Sequence, residues 1–277
     1  KQAWLADSNQ QAPVLLVERC LRALPEILTG QYQATDLMFP NGSMELVQGI
    51  YKGNVVADYF NAVLGDTVVA YIRERLARDP APEGIRILEI GAGTGGTTAM
   101  VLPKLQPFQA HIREYCYTDI YRAFLLHAQH EYAPAHPFLT MQLFDVEQSI
   151  AAQGIAVGGY DLVIATNVLH ATKNIRRTLT NTKATLRQGG LLLLNELNRS
   201  TLFVHLTFGL VEWWWRYEDA ALRLSGCPGL APDTWARVLA EEGFCNVFFP
   251  AEETHVLGQQ IIVAQSNGIV HQTRDTR

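Results

Sequence analysis

The stretch Arg86-Ile-Leu-Glu-Ile-Gly-Ala-Gly-Thr-Gly-Gly96 decides how the rest of this chain is interpreted. The apolar run from Ile85 to Ile90 predicts a buried strand. Glycines follow at Gly91, Gly93 and Gly96. Glycine lets the backbone turn sharply and come close to a ligand. A helical pattern from Thr97 to Leu105 comes next, and the free N–H groups at its start would point toward that ligand, so the stretch predicts a nucleotide-binding turn.

The glycine spacing fits two kinds of nucleotide site. It matches G-x-G-x-x-G, the dinucleotide-binding pattern, and also the E-x-G-x-G turn of S-adenosylmethionine-dependent methyltransferases. Glu89 precedes the first glycine, and a carboxylate there suits a ligand with an amino group and a sulfonium better than a pyrophosphate. An ordinary tight turn between a strand and a helix would satisfy the same short motif, because such matches carry false positives.

Composition excludes several classes of protein. The chain has 277 residues, 48% of them hydrophobic, and a net charge of −5. It has no Lys/Arg cluster, which argues against a nucleic-acid partner. The four cysteines form no C-x-x-C pair, which predicts reduced thiols in a cytoplasmic protein rather than disulfides or zinc ligands. No apolar run reaches the ~18 residues of a membrane span, and the missing initiator Met suggests a domain from a longer polypeptide.

Strand and helix patterns alternate from Ile85 onward. Strands are predicted at 85–90, 112–118, 138–144, 160–166, 190–195, 244–249 and 259–265, and helices near 95–105, 120–132, 174–187 and 232–242. This alternation is typical of an α/β fold in which helices cover a parallel sheet. The link from Pro250 to Gly258 is too short for a helical crossover, so the last two strands should be antiparallel. We therefore expect a Rossmann-like, seven-stranded, mostly parallel sheet with one antiparallel strand.

The sequence outside the alternating elements predicts further regions. Residues 1–80 carry apolar residues at helical intervals, including a predicted helix from Pro13 to Leu28, and we interpret them as a helical lid. Residues 79–84 have the composition of a linker. Residues 81–268 would form the core, with an insertion at 197–231 over the carboxyl edge of the sheet, and 269–277 a linker or tail. The insertion contains Trp213-Trp-Trp215, which cannot all face one way on a helix.

Polar residues follow each of the first five predicted strands. They are Glu89, Asp119, Asp145, the pair Asn167 and His170, and Glu196, in strand order. Ligands of doubly wound sheets bind beyond the carboxyl ends of the strands, where Asp119 would accept from the ribose hydroxyls and Asp145 from an adenine amino group. Strand-end acids also cap helices, so each alone has a structural interpretation, whereas the joint pattern predicts a common site.

His170 and Glu196 are the strongest candidates for catalysis. They follow strands that should be neighbours, so their loops should meet. A neutral imidazole takes up a proton near neutral pH, and a nearby carboxylate orients the ring and stabilises its cation. The remaining histidines show neither H-x₃-H nor H-E-x-x-H spacing, so no metal site is predicted.

Several segments resemble the methyltransferase domains embedded in modular polyketide synthases. They are Ile87–Gly96, Tyr117–Asp119, Phe144–Asp145, Tyr160–Ala171 and Leu194–Glu196. Phe39–Tyr51 is similar to the lid of the carbon-methylating members, as Val211–Trp215 is to part of their insertion. The glycine turn is shared by many methyltransferases, whereas the His170 loop together with Glu196 and the lid segment is more selective.

The resemblance implies a class I methyltransferase fold and S-adenosylmethionine as cofactor. The substrate would be the α-carbon of a β-ketoacyl chain, held by phosphopantetheine on an acyl carrier protein, with neighbouring synthase domains in the same polypeptide. Glu89, Gly91 and Gly93 would hold the methionine part, Asp119 the ribose and Asp145 the adenine side, with Asn167 as a further cofactor contact. His170 and Glu196 would be catalytic, and Tyr51 and Trp214 would contact substrate. Tyr59 is a weaker candidate for a contact with the cofactor, and Glu212 is a weaker candidate for a contact with the substrate.

Three alternatives stay open at this point. An oxygen-methylating domain of the same kind of synthase would share the fold and the cofactor, although the lid segment and Glu196 favour carbon. A nicotinamide-dependent reductase could use the same turn, but the turn lies some 90 residues into the chain behind predicted helices. A catalytically silent structural domain is the third, against which the intact Glu89, His170 and Glu196 argue.

Overall fold

The computed structural model describes residues 2–40, 43–79 and 83–270. Its centre is a seven-stranded sheet with the strand order β3-β2-β1-β4-β5-β7-β6. The strands are β1 (Ile85–Ile90), β2 (Ile112–Asp119), β3 (Leu139–Leu143), β4 (Tyr160–Thr166), β5 (Leu186–Leu197), β6 (Phe244–Phe248) and β7 (Gln259–Ser266). Only β7 runs antiparallel to its neighbours, β5 and β6. The predicted α/β fold, the seven strands and the single antiparallel strand are confirmed.

Eleven α-helices of the described residues surround the sheet. They are α1 (Gln2–Ala6), α2 (Ser8–Arg22), α3 (Leu24–Leu28), α4 (Ala34–Met38), α5 (Glu45–Tyr51), α6 (Val55–Arg78), α7 (Gly96–Leu105), α8 (Arg122–Glu131), α9 (Ile175–Thr185), α10 (Leu202–Leu206) and α11 (Pro232–Glu241). The helix predicted from Pro13 to Leu28 is in fact two helices with a break at Ala23. Pro25 explains the break, because proline cannot continue a helix and fits its first turn instead.

The two faces of the sheet are covered by different helices. α6, α7 and α8 pack on one face, and α9 and α11 pack on the other. α6 is the one helix in the described part of the chain that is long and apolar enough to cross a membrane. Phe60, Leu64, Val68 and Ile72 on α6 are fully buried against the sheet, so packing in the core accounts for the apolar character of this helix.

The N-terminal helices pack against the insertion after β5. Leu16 of α2, Met38 of α4 and Val47 of α5 share a buried cluster with Leu197 and Trp214. This cluster is separate from the two cores on the faces of the sheet. Residues 80–82 of the predicted linker, 41–42 of the predicted turn and 271–277 of the predicted tail lie outside the described residues.

Candidate active site

The glycine turn leaves β1 and is open on one side. Gly91 and Gly93 have φ of +62° and +57°, in the left-handed region that glycine adopts without strain. A Cβ on Gly91 would lie 2.6 Å from Cγ2 of Val168, whereas a Cβ on Gly93 would have no neighbour closer than 3.8 Å. The turn is therefore packed tightly at Gly91 and faces open space at Gly93, the place where a ligand would fit.

Glu89 lies beneath this turn, near the end of β1. Its carboxylate is buried and accepts hydrogen bonds from Thr98 Oγ1 at 2.5 Å and Tyr115 Oη at 2.7 Å. Burial raises the pKa of Glu89 to about 7, although the two hydrogen bonds act in the opposite direction. Thr98 and Tyr115 are residues of the protein itself, and their hydrogen bonds do not test whether Glu89 binds a ligand. The predicted contact of Glu89 with the methionine part of a ligand therefore stays a prediction.

Asp119 ties the end of β2 to the glycine turn. Its carboxylate accepts from the backbone N–H of Gly93 at 3.0 Å and of Tyr121 at 2.9 Å. Burial raises the pKa of Asp119, and these backbone hydrogen bonds oppose the rise. Asp145 follows β3 on the next strand outward, is half-buried and accepts from the N–H of Glu147 at 2.9 Å. The two acids thus follow neighbouring strand ends, as the sequence predicts.

Asn167 follows β4 in an unusual backbone conformation. Its φ is +53°, which few residues other than glycine adopt, and asparagine is among those that do. Its backbone N–H donates to the carbonyl oxygen of Asn195 at 2.7 Å. The side-chain Oδ1 is buried and has no hydrogen-bond partner within residues 2–40, 43–79 and 83–270. Buried amide oxygens are nearly always paired, so this atom is suited to a donor from a ligand.

His170 and Glu196 form a buried pair at the carboxyl edge of the sheet. β4 and β5 are parallel neighbours, with Thr166 opposite Asn195, and this register brings the two residues together. Nδ1 of His170 contacts Oε2 of Glu196. Oε1 of the same carboxylate accepts from the N–H of Leu169 at 2.9 Å. Because the carboxylate engages Nδ1, Nε2 is the ring nitrogen that can take up a proton.

Aromatic residues from the lid segment and the insertion surround this pair. The Trp214 ring is buried and lies edge-on to the His170 ring, with 6.0 Å between centroids. Burial, and secondly the charge of Glu196, raise the pKa of the Tyr51 hydroxyl. Phe208 contacts both, at 6.3 Å from Tyr51 and 6.2 Å from Trp214 between centroids. The structure therefore brings Tyr51 and Trp214 to the His170–Glu196 pair.

Two weaker candidates lie elsewhere. Tyr59 is exposed on α6 and packs edge-on against Phe60, because its position on the helix turns it away from the buried stripe. Glu212 is exposed, as is Trp215, whereas Trp214 is buried. The structure thus places neither Tyr59 nor Glu212 among the buried residues around His170 and Glu196.

Asn61 is a site residue that sequence reasoning missed. It is buried on α6, where its Oδ1 accepts from Thr97 Oγ1 at 2.9 Å and its Nδ2 donates to the carbonyl oxygen of Tyr51 at 3.3 Å. It thereby joins the lid segment to the helix that follows the glycine turn. A polar amide beside Phe60 on an apolar helix face is the signal that could have found it, since buried amides need partners.

No metal site is found in the described part of the chain. None of its His, Cys, Asp and Glu residues form a group of three or more that could hold a metal ion.

Comparisons with known proteins identify the family. A family described as "Methyltransferase domain" matches residues 88–192. The chain is 61% identical to polyketide synthase PksM of Bacillus subtilis (strain 168) over 98% of its own length, but spans only 6% of that protein. Its fold matches the DszA carbon methyltransferase with a TM-score of 0.90 and 41% identity, covering 98% of this chain and 69% of that one.

A second solved structure gives the same result. The CurJ carbon methyltransferase matches with a TM-score of 0.86 and 36% identity, covering 96% of this chain and 69% of that one. Both solved relatives share the described fold over nearly all of this chain. The chain therefore belongs to the S-adenosylmethionine-dependent carbon methyltransferase domains of polyketide synthases.

Proposed function

We propose that this domain methylates the α-carbon of a β-ketoacyl chain carried on an acyl carrier protein. The observation that carries the proposal is the buried His170–Glu196 pair, which lies at the same sheet edge as the open glycine turn. A base and a methyl-donor site at one edge are what carbon methylation requires. The methyl donor would be S-adenosylmethionine, the donor used by the family to which the chain belongs.

The residues at the sheet edge fit this cofactor. The open side of Gly93 gives room for the methionine part, and the buried Oδ1 of Asn167 offers an acceptor. Asp119, the last residue of β2, would be placed for the ribose hydroxyls, and Asp145, after the adjacent β3, for the adenine side. When bound, S-adenosylmethionine supplies an electrophilic methyl group on a sulfonium centre.

His170 would act as the general base. The α-carbon between a ketone and a thioester is acidic for a C–H group, and Nε2 of His170 would take its proton. Glu196, held in place by the Leu169 N–H, would stabilise the imidazolium that forms. General-base catalysis contributes ~10²–10⁴-fold, and the fixed placement of both reactants contributes much of the rest. With S-adenosylmethionine bound, the methyl group would pass to the resulting enolate carbon as its bond to sulfur breaks, and the sulfur would keep that electron pair and leave as a neutral thioether.

The N-terminal region would cover the site as a lid. A Cβ on Gly96 would lie 2.5 Å from the carbonyl oxygen of Tyr51, so the end of α5 packs directly on the start of α7. Asn61 bonds the same carbonyl. These contacts hold the end of the proposed lid, residues 1–80, against the proposed core of 81–268, which carries the insertion 197–231 and precedes a proposed tail of 269–277.

The substrate would arrive on a carrier protein. The chain spans 6% of polyketide synthase PksM and 11% of PksR, so domains of this kind occur inside much longer polypeptides. We infer that a phosphopantetheine arm delivers the acyl chain to His170 and that neighbouring synthase domains supply and consume it.

Product analysis tests the reaction. The domain is incubated with S-adenosylmethionine and either a β-ketoacyl or a β-hydroxyacyl thioester, and mass spectrometry with fragmentation locates the new methyl group. We expect it on the α-carbon of the β-ketoacyl substrate. Methylation of an oxygen would keep the base but change the reaction, and no methylation of either thioester would contradict the proposal.

The variants His170→Ala and Glu196→Gln test the base. His170→Ala should keep cofactor affinity and lower turnover by about two to four orders of magnitude. Glu196→Gln should lower turnover less than His170→Ala does, or by the same factor if the two residues act as a unit. Exchange of the substrate α-proton with deuterated solvent should slow in parallel, and His130→Ala, on the exposed face of α8, is the matched control. Wild-type methylation by both active-site variants would refute the pair.

A further inference from the structure

The loop that carries His170 is held on its far side by an arginine from the insertion. The Arg223 side chain is fully buried. Its Nη1 donates to the carbonyl oxygen of His170 at 2.7 Å and to that of Pro228 at 2.8 Å. Its Nη2 donates to the carbonyl oxygen of Thr172 at 3.0 Å. One guanidinium therefore fixes two carbonyl groups of the His170 loop.

The remaining donors of Arg223 bind Asp219. Nε donates to Oδ1 at 2.5 Å and Nη2 to Oδ2 at 3.0 Å, in the two-point geometry typical of Arg–carboxylate pairs. All five N–H groups of the guanidinium thus have acceptors. Oδ2 of Asp219 also accepts from the N–H of Ile175, the first residue of α9. The Arg223–Asp219 pair therefore binds both the loop and the helix that follows it.

A carboxylate and a guanidinium bind different backbone groups of the loop that carries His170. Glu196 accepts from the N–H groups of Val168 at 3.3 Å and Leu169 at 2.9 Å, whereas Arg223 donates to the carbonyls of His170 and Thr172. Together they fix the orientation of the peptide groups on either side of the His170 side chain. A shift of ~1 Å at a reacting group can cost ~10²-fold in rate, so this support bears directly on proton abstraction.

We propose that Arg223, anchored by Asp219, is a positioning residue that sets the orientation of His170 for proton abstraction. The inference rests on the proposed function of His170 as the base. Lysine would keep the charge but offers one nitrogen in place of the planar five-donor fork, so it cannot reach the carbonyls of His170, Thr172 and Pro228 together. The role of Arg223 therefore depends on its geometry as well as its charge.

The test compares Arg223→Lys with Arg86→Lys. Like Arg223, Arg86 has a carboxylate and a carbonyl partner, Glu114 and Gly159. Its guanidinium is partly buried and lies near the amino end of β1, away from His170. We expect Arg223→Lys to lower kcat about 10- to 100-fold, with the KM for the β-ketoacyl thioester and the affinity for S-adenosylmethionine changed less than about threefold. Solvent deuterium exchange of the α-proton should fall by the same factor as kcat. Arg86→Lys should lower the melting temperature without this loss in kcat.

Two outcomes would overturn the inference. One is an Arg223→Lys domain that melts at a lower temperature but keeps wild-type kcat and exchange. The other is an equal loss of kcat in Arg86→Lys. If Arg223→Lys does not fold, Asp219→Asn takes its place, because it keeps the guanidinium and removes its anchor; it should also lower kcat more than KM, and an unchanged kcat would refute the role.

A spectroscopic readout separates this inference from the proposed function. If the wild-type domain neither methylates nor exchanges the β-ketoacyl thioester, the proposed function fails. The ¹⁵N spectrum of the His170 ring, identified by its absence in His170→Ala, still reports the position of the ring. Arg223→Lys should change that signal whereas Arg86→Lys should not, and an unchanged signal would overturn the positioning role.

Discussion

The buried carboxylate of Glu89 predicts that the cofactor-free domain loses stability as the pH rises. Glu89 has a pKa of about 7 in the folded protein, against an ordinary value of 4.5. The folded state therefore binds the proton more tightly than the unfolded state. Stability from this group is fully present below the unfolded pKa of 4.5 and is lost as the pH rises through about 7. Glu89→Gln removes the ionisation and keeps the shape of the side chain.

The magnitude follows from the two pKa values. Each pKa unit corresponds to about 1.4 kcal/mol, so ionising Glu89 in the folded state costs about 3 kcal/mol in all. Because the unfolded chain is already partly ionised at about pH 5, the loss between about pH 5 and about pH 8 is roughly 2 to 3 kcal/mol. Glu89 is buried, so solvent screening does not reduce this figure as it would at the surface.

Urea unfolding of the cofactor-free domain measures this effect. The free energy of unfolding is determined for wild type and Glu89→Gln at several values from about pH 5 to about pH 8. The free energy of unfolding of the variant should rise by roughly 2 to 3 kcal/mol relative to that of wild type across this range. S-adenosylmethionine is left out, because a nearby cation favours the charged form of a carboxylate. Glu74→Gln, an exposed carboxylate on α6, is the matched control.

One result would refute the reasoning. If the unfolding free energies of wild type and Glu89→Gln differ by the same amount at every pH, Glu89 ionises without cost in the folded state. Its burial beneath the glycine turn and its hydrogen bonds from Thr98 and Tyr115 would then not describe the protein in solution.

Three further predictions concern the cofactor site and the lid. Gly93→Val should abolish S-adenosylmethionine binding in calorimetry, because φ of +57° disfavours valine and its side chain would enter the open side of the turn; micromolar affinity in the folded variant would contradict the cofactor assignment. Asp119→Ala should weaken binding by about 1–3 kcal/mol, and an unchanged affinity would place the ribose contact elsewhere. Deletion of residues 1–50 should abolish turnover, since Leu16 and Val47 pack in the cluster that contains Trp214; full turnover would show that this region is not a lid.

The sequence by itself determined the α/β class and the edge at which the candidate site lies. The strands from Ile85 to Ser266 were predictable because buried parallel strands are short apolar runs, and local composition records this. The residues after the first five strands were predictable as a group, since neighbouring parallel strands end at the same edge of the sheet. That rule also predicts that the loops of His170 and Glu196 meet, and the structure shows the contact between the two side chains.

Only the tertiary structure decided which way these side chains face and what they contact. Glu89 lies beneath the turn, where it accepts hydrogen bonds from Thr98 and Tyr115, two partners that its position in the motif does not predict. Nothing in the local sequence around Arg223 relates it to His170, 53 residues away. Such contacts depend on strand order and on the path of the insertion over the sheet edge. Local periodicity records whether a residue is buried, whereas its partners are set by segments distant in the chain.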